Sequence, residues 1–417
     1  MGRKRLLVLT QLYRPEPNFI TADVAEAMAE SMDVVVVTAH PNYPFGKFYP
    51  NTRWWLPRRT VENGVTVWRL PMYPDHSLSN LKRGLSFLSF AVVASLFAPF
   101  VAGRPAVVWV YHGIFTTGIA SLWFKFVTRS RIVFTCADLW PECFVASGVS
   151  RHPVMLKLLF AYRRFINRQA DELICSTRGT MNTYAADGIA TSRLKYVPVW
   201  VEGIQEAGQP AENGAAEKRI VYAGNIGAAQ KLDTLIRVAS KLQKERPDVS
   251  VHLFGTGTEM PNLKNLAASL GATNVTFHGR VPPETAFQAS AAAFAQYVSL
   301  QSSPLFRMTI PSKLGFSFAA GAPVLVGVEG ESAELAKESG GSFLFDPEDD
   351  DSLQRAIQQL LALSDQERSA LRSKLRDYYQ RNFARSALLE QYIAILGPGG
   401  QAAEPGLRAD FIRQVAQ

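Results

Sequence analysis

Along most of this chain apolar residues come in short unbroken runs rather than in alternation. Leu6 to Thr10, Val34 to Thr38, Ala106 to Tyr111 and Ile132 to Cys136 read as strands of an open parallel sheet, and Glu172 to Ser176 and Leu194 to Val197 complete the series. A helical stretch, Thr21 to Met32, separates the first two and makes a strand–helix–strand unit. Gly64 to Leu70 alternates and predicts one more strand. A second series opens with RIVYAGNIG, continues through a helix over Asp233 to Glu245, the strand VSVHLF and the strand NVTFHG, and includes a strand from Val324 to Val328. Between the two series lies the polar stretch Glu202 to Lys218, rich in Gly, Ala and Pro, which reads as a linker. The pattern predicts two doubly wound α/β domains, 1–200 and 218–380, whose facing carboxyl edges enclose a ligand cleft. Residues 381–417 follow, with a helix near Ser386 to Ile395 and a loose tail after Pro398 carrying a short amphipathic helix.

Two segments depart from this simple layering. Gly84 to Gly103 carries no charge and is flanked by Lys82, Arg83 and Arg104. Its length is near the ~20 residues that span a bilayer. Three serines, Pro99 and its place between two sheet strands favour a helix packed on the domain or lying at a lipid interface. Leu156 to Arg168, LKLLFAYRRFINR, mixes Lys and Arg with aromatics; it suits a second membrane- or phosphate-facing surface, or a solvated helix face.

Composition narrows the partners. In 417 residues the net charge is +8, with 47% hydrophobic and 19% charged residues, so the chain is globular and its partner anionic. Scattered basic residues and the lack of any zinc-finger or RNA-binding signature argue against nucleic acid. Cys136, Cys143 and Cys175 have unhelpful spacings and read as reduced and mostly buried. The apolar run after the basic start is too short for a signal peptide, and Met1-Gly2 lacks the hydroxyl residue that myristoylation requires.

Candidate chemistry gathers where strands end. The loop Tyr13 to Asn18 and the aromatic loop His40 to Pro50, HPNYPFGKFYP, lie at the carboxyl edge of the first sheet, which offers Tyr13 and Tyr43. His112 ends a strand there, and Asp138, Trp140 and Glu142 follow another. A carboxylate beside an indole suits contact with a sugar; a helix cap over a buried Trp is the plainer alternative. In the second half, Gly224 to Gly227 and Gly255-Thr256-Gly257 are glycine turns after strands. PLFRMTIPSKLGFSFAAGAPVLV, from Pro304, predicts a loop, a helix with Pro311 as its first residue, and a strand. The unpaired N–H groups of that helix, the Ser312 hydroxyl and the Lys313 ammonium converge as a diphosphate requires, though an ordinary cap with a surface lysine has the same local sequence.

Taken together, YAGNIGAAQKLDTLI, LFGTGTEMPNLKNLAASLGATNVTFHGRVP and PSKLGFSFAAGAPVL resemble the family 4 glycosyltransferases of the GT-B fold, two Rossmann-like domains facing across a cleft. LYRPEPNF, HPNYPFGKFYP and ADLWPE are similar to the subgroup that adds fucose or N-acetylfucosamine to bacterial surface polysaccharide precursors; the likeness covers about residues 5 to 395. It implies a retaining transfer of a deoxy- or N-acetylamino sugar from a nucleoside diphosphate, UDP favoured, to a polyprenyl-diphosphate-linked saccharide, with neither metal nor cofactor. The enzyme is then expected in the cytoplasm, peripheral on the inner membrane. By the same resemblance Gly224, Asn225 and Gly227 approach the diphosphate, with Asn225 standing where the family has an arginine. Lys231 and Lys313 pair with the phosphates, Gly255 is a further donor contact, and Arg280 and Val281 read the base. His112, Asp138, Trp140 and Glu142 orient the acceptor. The family's two glutamates are Met308 and Phe316 here, and Phe316 cannot hold ribose hydroxyls. Glu329 and Glu331 are the nearest carboxylates in sequence, of which Glu331 is taken as a donor contact, loop solvation or capping being the alternative. Two rival readings follow from the lost glutamates and the shared scaffold: a non-catalytic subunit of a polysaccharide-assembly complex, and a nucleotide-sugar epimerase.

Overall fold

The computed structural model describes residues 2–16, 18–50, 52–77, 79–112, 115–146, 152–201, 217–397 and 399. The chain divides into two compact units, one of residues 1–176, 180–197 and 388 onward, the other of residues 177–179 and 198–387.

The first unit carries β1 (Arg5–Leu9), β2 (Asp33–Ala39), β3 (Arg58–Glu62), β4 (Val65–Leu70), β5 (Val107–His112), β6 (Arg131–Cys136), β7 (Glu172–Cys175) and β8 (Leu194–Tyr196). They form one sheet in the order β3-β4-β2-β1-β5-β6-β7-β8, parallel except for β3. Leu7 sits in register between Val35 and Val108, and Leu6 to Leu9 are fully buried, which is why this strand reads as an unbroken apolar run. Chain order reverses between β1 and β5, so the loops after these strands flank the sheet's switch point. β3 departs from the predicted pattern: its RRTVE is mostly exposed, and it pairs with β4 through the Asn63-Gly64 turn, both residues at positive φ.

Helices close both faces. α1 (Phe19–Ala29) packs on β2 and β4, as does α2 (Asn80–Ala102), the uncharged segment of the sequence with one added turn. Length and composition would let Leu81–Ala102 cross a membrane, with a mean hydropathy of 2.1. One of its faces is instead sealed against the sheet by Ser86, Phe90, Ala91, Ala94, Ala98 and Ala102, while Leu81, Leu85, Leu88, Val92, Leu96 and Phe100 form an exposed stripe at helical spacing. A 3₁₀ turn over Phe115–Ser121 touches both α2 and α4 (Pro153–Gln169), which follows the short α3 (Glu142–Ala146). On α4, Val154, Leu158 and Phe165 are also exposed. Arg163 of the same helix does not join a basic surface: it is buried, ion-paired to Glu142 at 2.6 Å and Asp187 at 2.7 Å. α5 (Arg178–Ala186) completes this part of the chain.

In the second unit, β9 (Lys218–Ala223), β10 (Val249–Phe254), β11 (Val275–Gly279), β12 (Ala295–Ser299), β13 (Val324–Gly327) and β14 (Ser342–Leu344) are all parallel. Their order is β11-β10-β9-β12-β13-β14, a doubly wound sheet whose switch point lies between β9 and β12. α6 (Leu232–Glu245), α7 (Met260–Ser269), α8 (Pro283–Ala291), α9 (Ser312–Ala320), α10 (Glu331–Ser339), α11 (Asp350–Leu361) and α12 (Asp365–Asn382) surround it. The core joins Tyr222, Val251 and Leu253 of the sheet to Leu235 and Ile236 of α6 and Ile357 of α11. α12 begins with a reciprocal cap: Ser364 Oγ accepts from the Glu367 N–H and the Glu367 carboxylate from the Ser364 N–H. α13 (Arg385–Leu396) returns to the first unit, where Leu388, Tyr392 and Leu396 are buried. Most of the expected linker, residues 202–216, and the tail from residue 400 onward lie outside the described residues.

Candidate functional site

At the carboxyl end of β9 the backbone, not the side chains, sets the geometry. The turn 224–227 lies against the turn 255–257: the Gly224 N–H donates to Phe254 O at 2.9 Å and the Ile226 N–H to Thr256 O at 2.9 Å. A Cβ on Gly255 would sit 1.8 Å from Gly224 O, so only glycine permits this approach. Tyr222 OH donates to Asn225 O, and the Asn225 side chain is exposed. Gly227 N–H donates to Gln230 Oε1 at 2.9 Å.

Lys313 lies across this turn. A Cβ on Gly224 would meet its Cε at 2.3 Å, and its Nζ stands 5.7 Å from the centre of the Tyr222 ring. Neighbouring atoms strip it of water, and that desolvation lowers its pKa below the ordinary value of 10.5. No carboxylate pairs with it among the described residues. Its helix, α9, begins one residue later than the sequence predicts: Pro311 is the N-cap with extended ψ, Ser312 is the first helical residue, and no side chain caps the end. Helix N-terminus and ammonium thus meet at a glycine turn, an arrangement that attracts a divalent anion.

Lys231 is differently placed. It sits between a 3₁₀ turn and α6 with φ of 48°, a left-handed conformation unusual for a residue with a Cβ. Its Nζ meets the Glu348 carboxylate at 2.8 Å, which holds the ammonium charged above its ordinary range, and Asp233 lies at 3.8 Å. Nothing in the local sequence around Lys231 announces Glu348, which arrives from the loop before α11.

The remaining donor-side residues are dispersed. Arg280 is exposed after β11, while Val281 packs against the small cluster of Val221, Phe254 and Ala322. Phe316 meets Phe287 edge to face at 5.5 Å. Both substitute carboxylates are already engaged. Glu331 accepts the N–H groups of Arg178 at 2.9 Å and Gly179 at 3.0 Å, from the three-residue segment that packs with this unit. Glu329 accepts from Arg307 Nε at 2.5 Å and Ser302 Oγ at 3.0 Å.

In the first unit Glu16 organises the carboxyl edge, a role the sequence did not single out. Its buried carboxylate accepts the N–H groups of Asn42 and Tyr43, both at 2.8 Å, and ties the loop after β1 to the aromatic loop after β2. Burial pushes its carboxyl above the usual range. Tyr13 is enclosed at 2% exposure, whereas Tyr43 is open and packs edge-on to His76 at 5.1 Å. Asp138 follows β6 as an exposed residue, and partial desolvation raises its carboxyl above the usual range. Glu142 is fully engaged by Arg163, which also donates to Trp140 O at 3.3 Å. His112 ends β5, and its side chain lies outside the described residues.

Residues 17–200 match the glycosyl transferase 4-like domain and residues 217–363 match glycosyl transferases group 1. The putative colanic acid biosynthesis glycosyl transferase WcaI of Escherichia coli is 26% identical over 93% of this chain and 98% of its own. The probable glycosyltransferase WbjE of Pseudomonas aeruginosa is 24% identical over 66% of this chain and 70% of its own. Among solved structures, Anabaena Alr3699/HepE in complex with UDP superposes with a TM-score of 0.69 at 14% identity, over 94% of this chain and 99% of that one. With both halves matched in order on two doubly wound sheets, the chain belongs to the group 1 glycosyltransferases of the GT-B fold.

Proposed function

We propose that this glycosyltransferase moves a deoxy- or N-acetylamino sugar from a UDP-linked donor to a polyprenyl-diphosphate-linked saccharide during synthesis of a bacterial surface polysaccharide. The observation that carries the reading is Lys313: a desolvated ammonium without a carboxylate partner among the described residues, laid over Gly224 at the uncapped start of α9. An unpaired charge in such a place is costly unless a ligand supplies the counter-charge. Similarity to a colanic acid glycosyl transferase supports the polysaccharide context, and similarity to a protein seen with UDP supports the nucleotide.

In the proposed reaction the bond between the sugar's anomeric carbon and the donor phosphate oxygen breaks, and the acceptor hydroxyl oxygen takes its place with retention. The acceptor's proton passes to the departing diphosphate. Lys313 and the α9 N-terminus stabilise the negative charge developing on that diphosphate, and Lys231 joins them when it exchanges Glu348 for phosphate. Asp138, with its raised pKa, orients the acceptor hydroxyl, and His112 assists.

Calorimetric titration with UDP, GDP and their sugars tests the reading. UDP should bind the wild type, and Lys313→Met should lower kcat/KM by about 10²–10³, the usual loss on removing one preorganised donor. Normal turnover by that variant would exclude Lys313 from the chemistry. Conversion of a donor without acceptor would favour an epimerase, and binding of no nucleotide would favour an assembly subunit.

A further inference from the structure

Between the aromatic loop, the segment Pro71–Pro74 and α2 the first unit contains a groove of about 640 Å³. That volume falls within the ~300–1,000 Å³ typical of small-molecule clefts. Phe48, Trp54, Met72, Tyr73 and Val93 make its walls almost wholly apolar, with Lys47 at the rim. Phe48 and Trp54 stack with centroids 5.5 Å apart and planes 8° apart, forming one flat wall.

Hydrogen bonds fix the walls of the groove. Glu16 fixes Asn42 and Tyr43 as described, and Asn42 Oδ1 meets His76 Nε2 at 3.0 Å. His40 Nε2 meets Leu56 O at 2.9 Å, and the Tyr73 N–H donates to Ser89 Oγ at 2.9 Å. Along α2, Ser89 and Val93 line the groove, and Leu88 and Val92 lie one position before them on the exposed stripe that continues to Leu96. The exposed apolar stripe of α2 thus includes residues adjacent in sequence to two that line the groove. Charge at the open side is cationic. Lys47, Lys82 and Arg83 have no ion pair among the described residues, and Lys82 and Arg83 act electrostatically on Asp75 and His76, just past the groove wall. Asp75, the acidic group there, is occupied by the N–H and Oγ of Ser77.

We infer that this groove binds the isoprenyl chain of the acceptor, with its phosphate groups against Lys47, Lys82 and Arg83. The assignment rests on the lipid-linked acceptor proposed above and adds where its tail lies. A chain drawn from a bilayer would pass over the Leu88–Val92–Leu96 stripe and enter between Val93 and the Phe48–Trp54 wall. Rings and a thioether on the walls suit a methyl-branched, unsaturated chain, which fills irregular apolar space well.

The test is calorimetry on the full chain with farnesyl diphosphate below its micelle concentration, beside dodecyl phosphate and UDP. Trp54→Ala, at a position 47% exposed and thus least able to disturb the fold, and Val93→Asp narrow the question. Farnesyl diphosphate should bind, at least tenfold more tightly than dodecyl phosphate. Both variants should weaken it at least tenfold while leaving UDP affinity unchanged. Equal affinity in wild type and both variants overturns the groove, as does equal binding of dodecyl phosphate. Binding of UDP without farnesyl diphosphate overturns the groove alone; loss of both ligands from the wild type overturns the transferase reading and the groove with it.

Discussion

At the scale of single residues, the two lysines that the sequence treats as equivalents behave oppositely. Lys313 is desolvated and lacks a carboxylate, so its pKa is lowered; Lys231 is held by Glu348, so its pKa is raised. The sign of the pH effect follows for Lys313. Between its lowered folded pKa and the unfolded value of 10.5, the unfolded chain binds more protons, so stability rises with pH in that window. Anion binding needs the ammonium, so UDP affinity should fall over the same window. Thermal melts and titrations at successive alkaline pH values should show these opposite slopes, and Lys313→Met should flatten both. Parallel slopes in the wild type would mean that Lys313 does not face the phosphates. Glu348 provides a separate check. It is half-exposed, so its pair with Lys231 contributes only ~0.2–1 kcal/mol to stability. If that carboxylate competes with phosphate, Glu348→Ala should tighten UDP by up to about fivefold with little change in melting temperature. Unchanged affinity would leave Lys231 as a structural ion-pair residue.

At the scale of elements, the turns 224–227 and 255–257 form one backbone-packed unit on which the site depends. Gly255→Ala adds a Cβ where Gly224 O already lies, at φ of 130°, and should destabilise by ~2 kcal/mol or more while abolishing UDP binding. Urea denaturation of the variant measures the first effect and calorimetry the second; a wild-type midpoint would mean that the turns part freely. This contact was half legible. Glycines after strands were visible in RIVYAGNIG and LFGTGTE, but that one turn rests on the other was not, because sequence order hides which β-strands are neighbours. Most of the parallel strands were legible for the opposite reason, since burial on both faces leaves a local apolar run such as that of β1 or β2, whereas β12 and the short, half-buried β14 went unread. β3 escaped because an exposed edge strand such as RRTVE has no such trace, although the Asn63-Gly64 turn before the alternating GVTVWRL was an available signal. Glu331 shows the limit. Its position beyond β13 suggested a donor contact, yet its carboxylate holds the Arg178 and Gly179 N–H groups, a pairing set by residues far away along the chain.

At the scale of the whole molecule, the net charge of +8 and the exposed apolar stripes belong together. The stripes of α2 and α4, bridged by the turn Phe115–Ser121, lie in the first unit, as does the returning helix α13 that seals part of its core. Singly exposed apolar side chains are ordinary on proteins, but Leu81, Leu85, Leu88, Val92, Leu96 and Phe100 form a continuous row beside Lys82, Arg83 and Arg104. Such a row enters the acyl boundary of a bilayer while the cations meet anionic headgroups, each near the surface worth about 1 kcal/mol. The chain should therefore float with vesicles containing phosphatidylglycerol and sediment with pure phosphatidylcholine. Binding should weaken as ionic strength rises from 0.1 M towards 1 M, where the screening length falls from ~10 to ~3 Å. Leu88→Glu together with Phe100→Glu places two charges on the row without touching the sealed face, and should abolish flotation with the melting temperature preserved. If that double variant still floats, α2 is not the contact, and the basic α4 surface becomes the one to interrupt next.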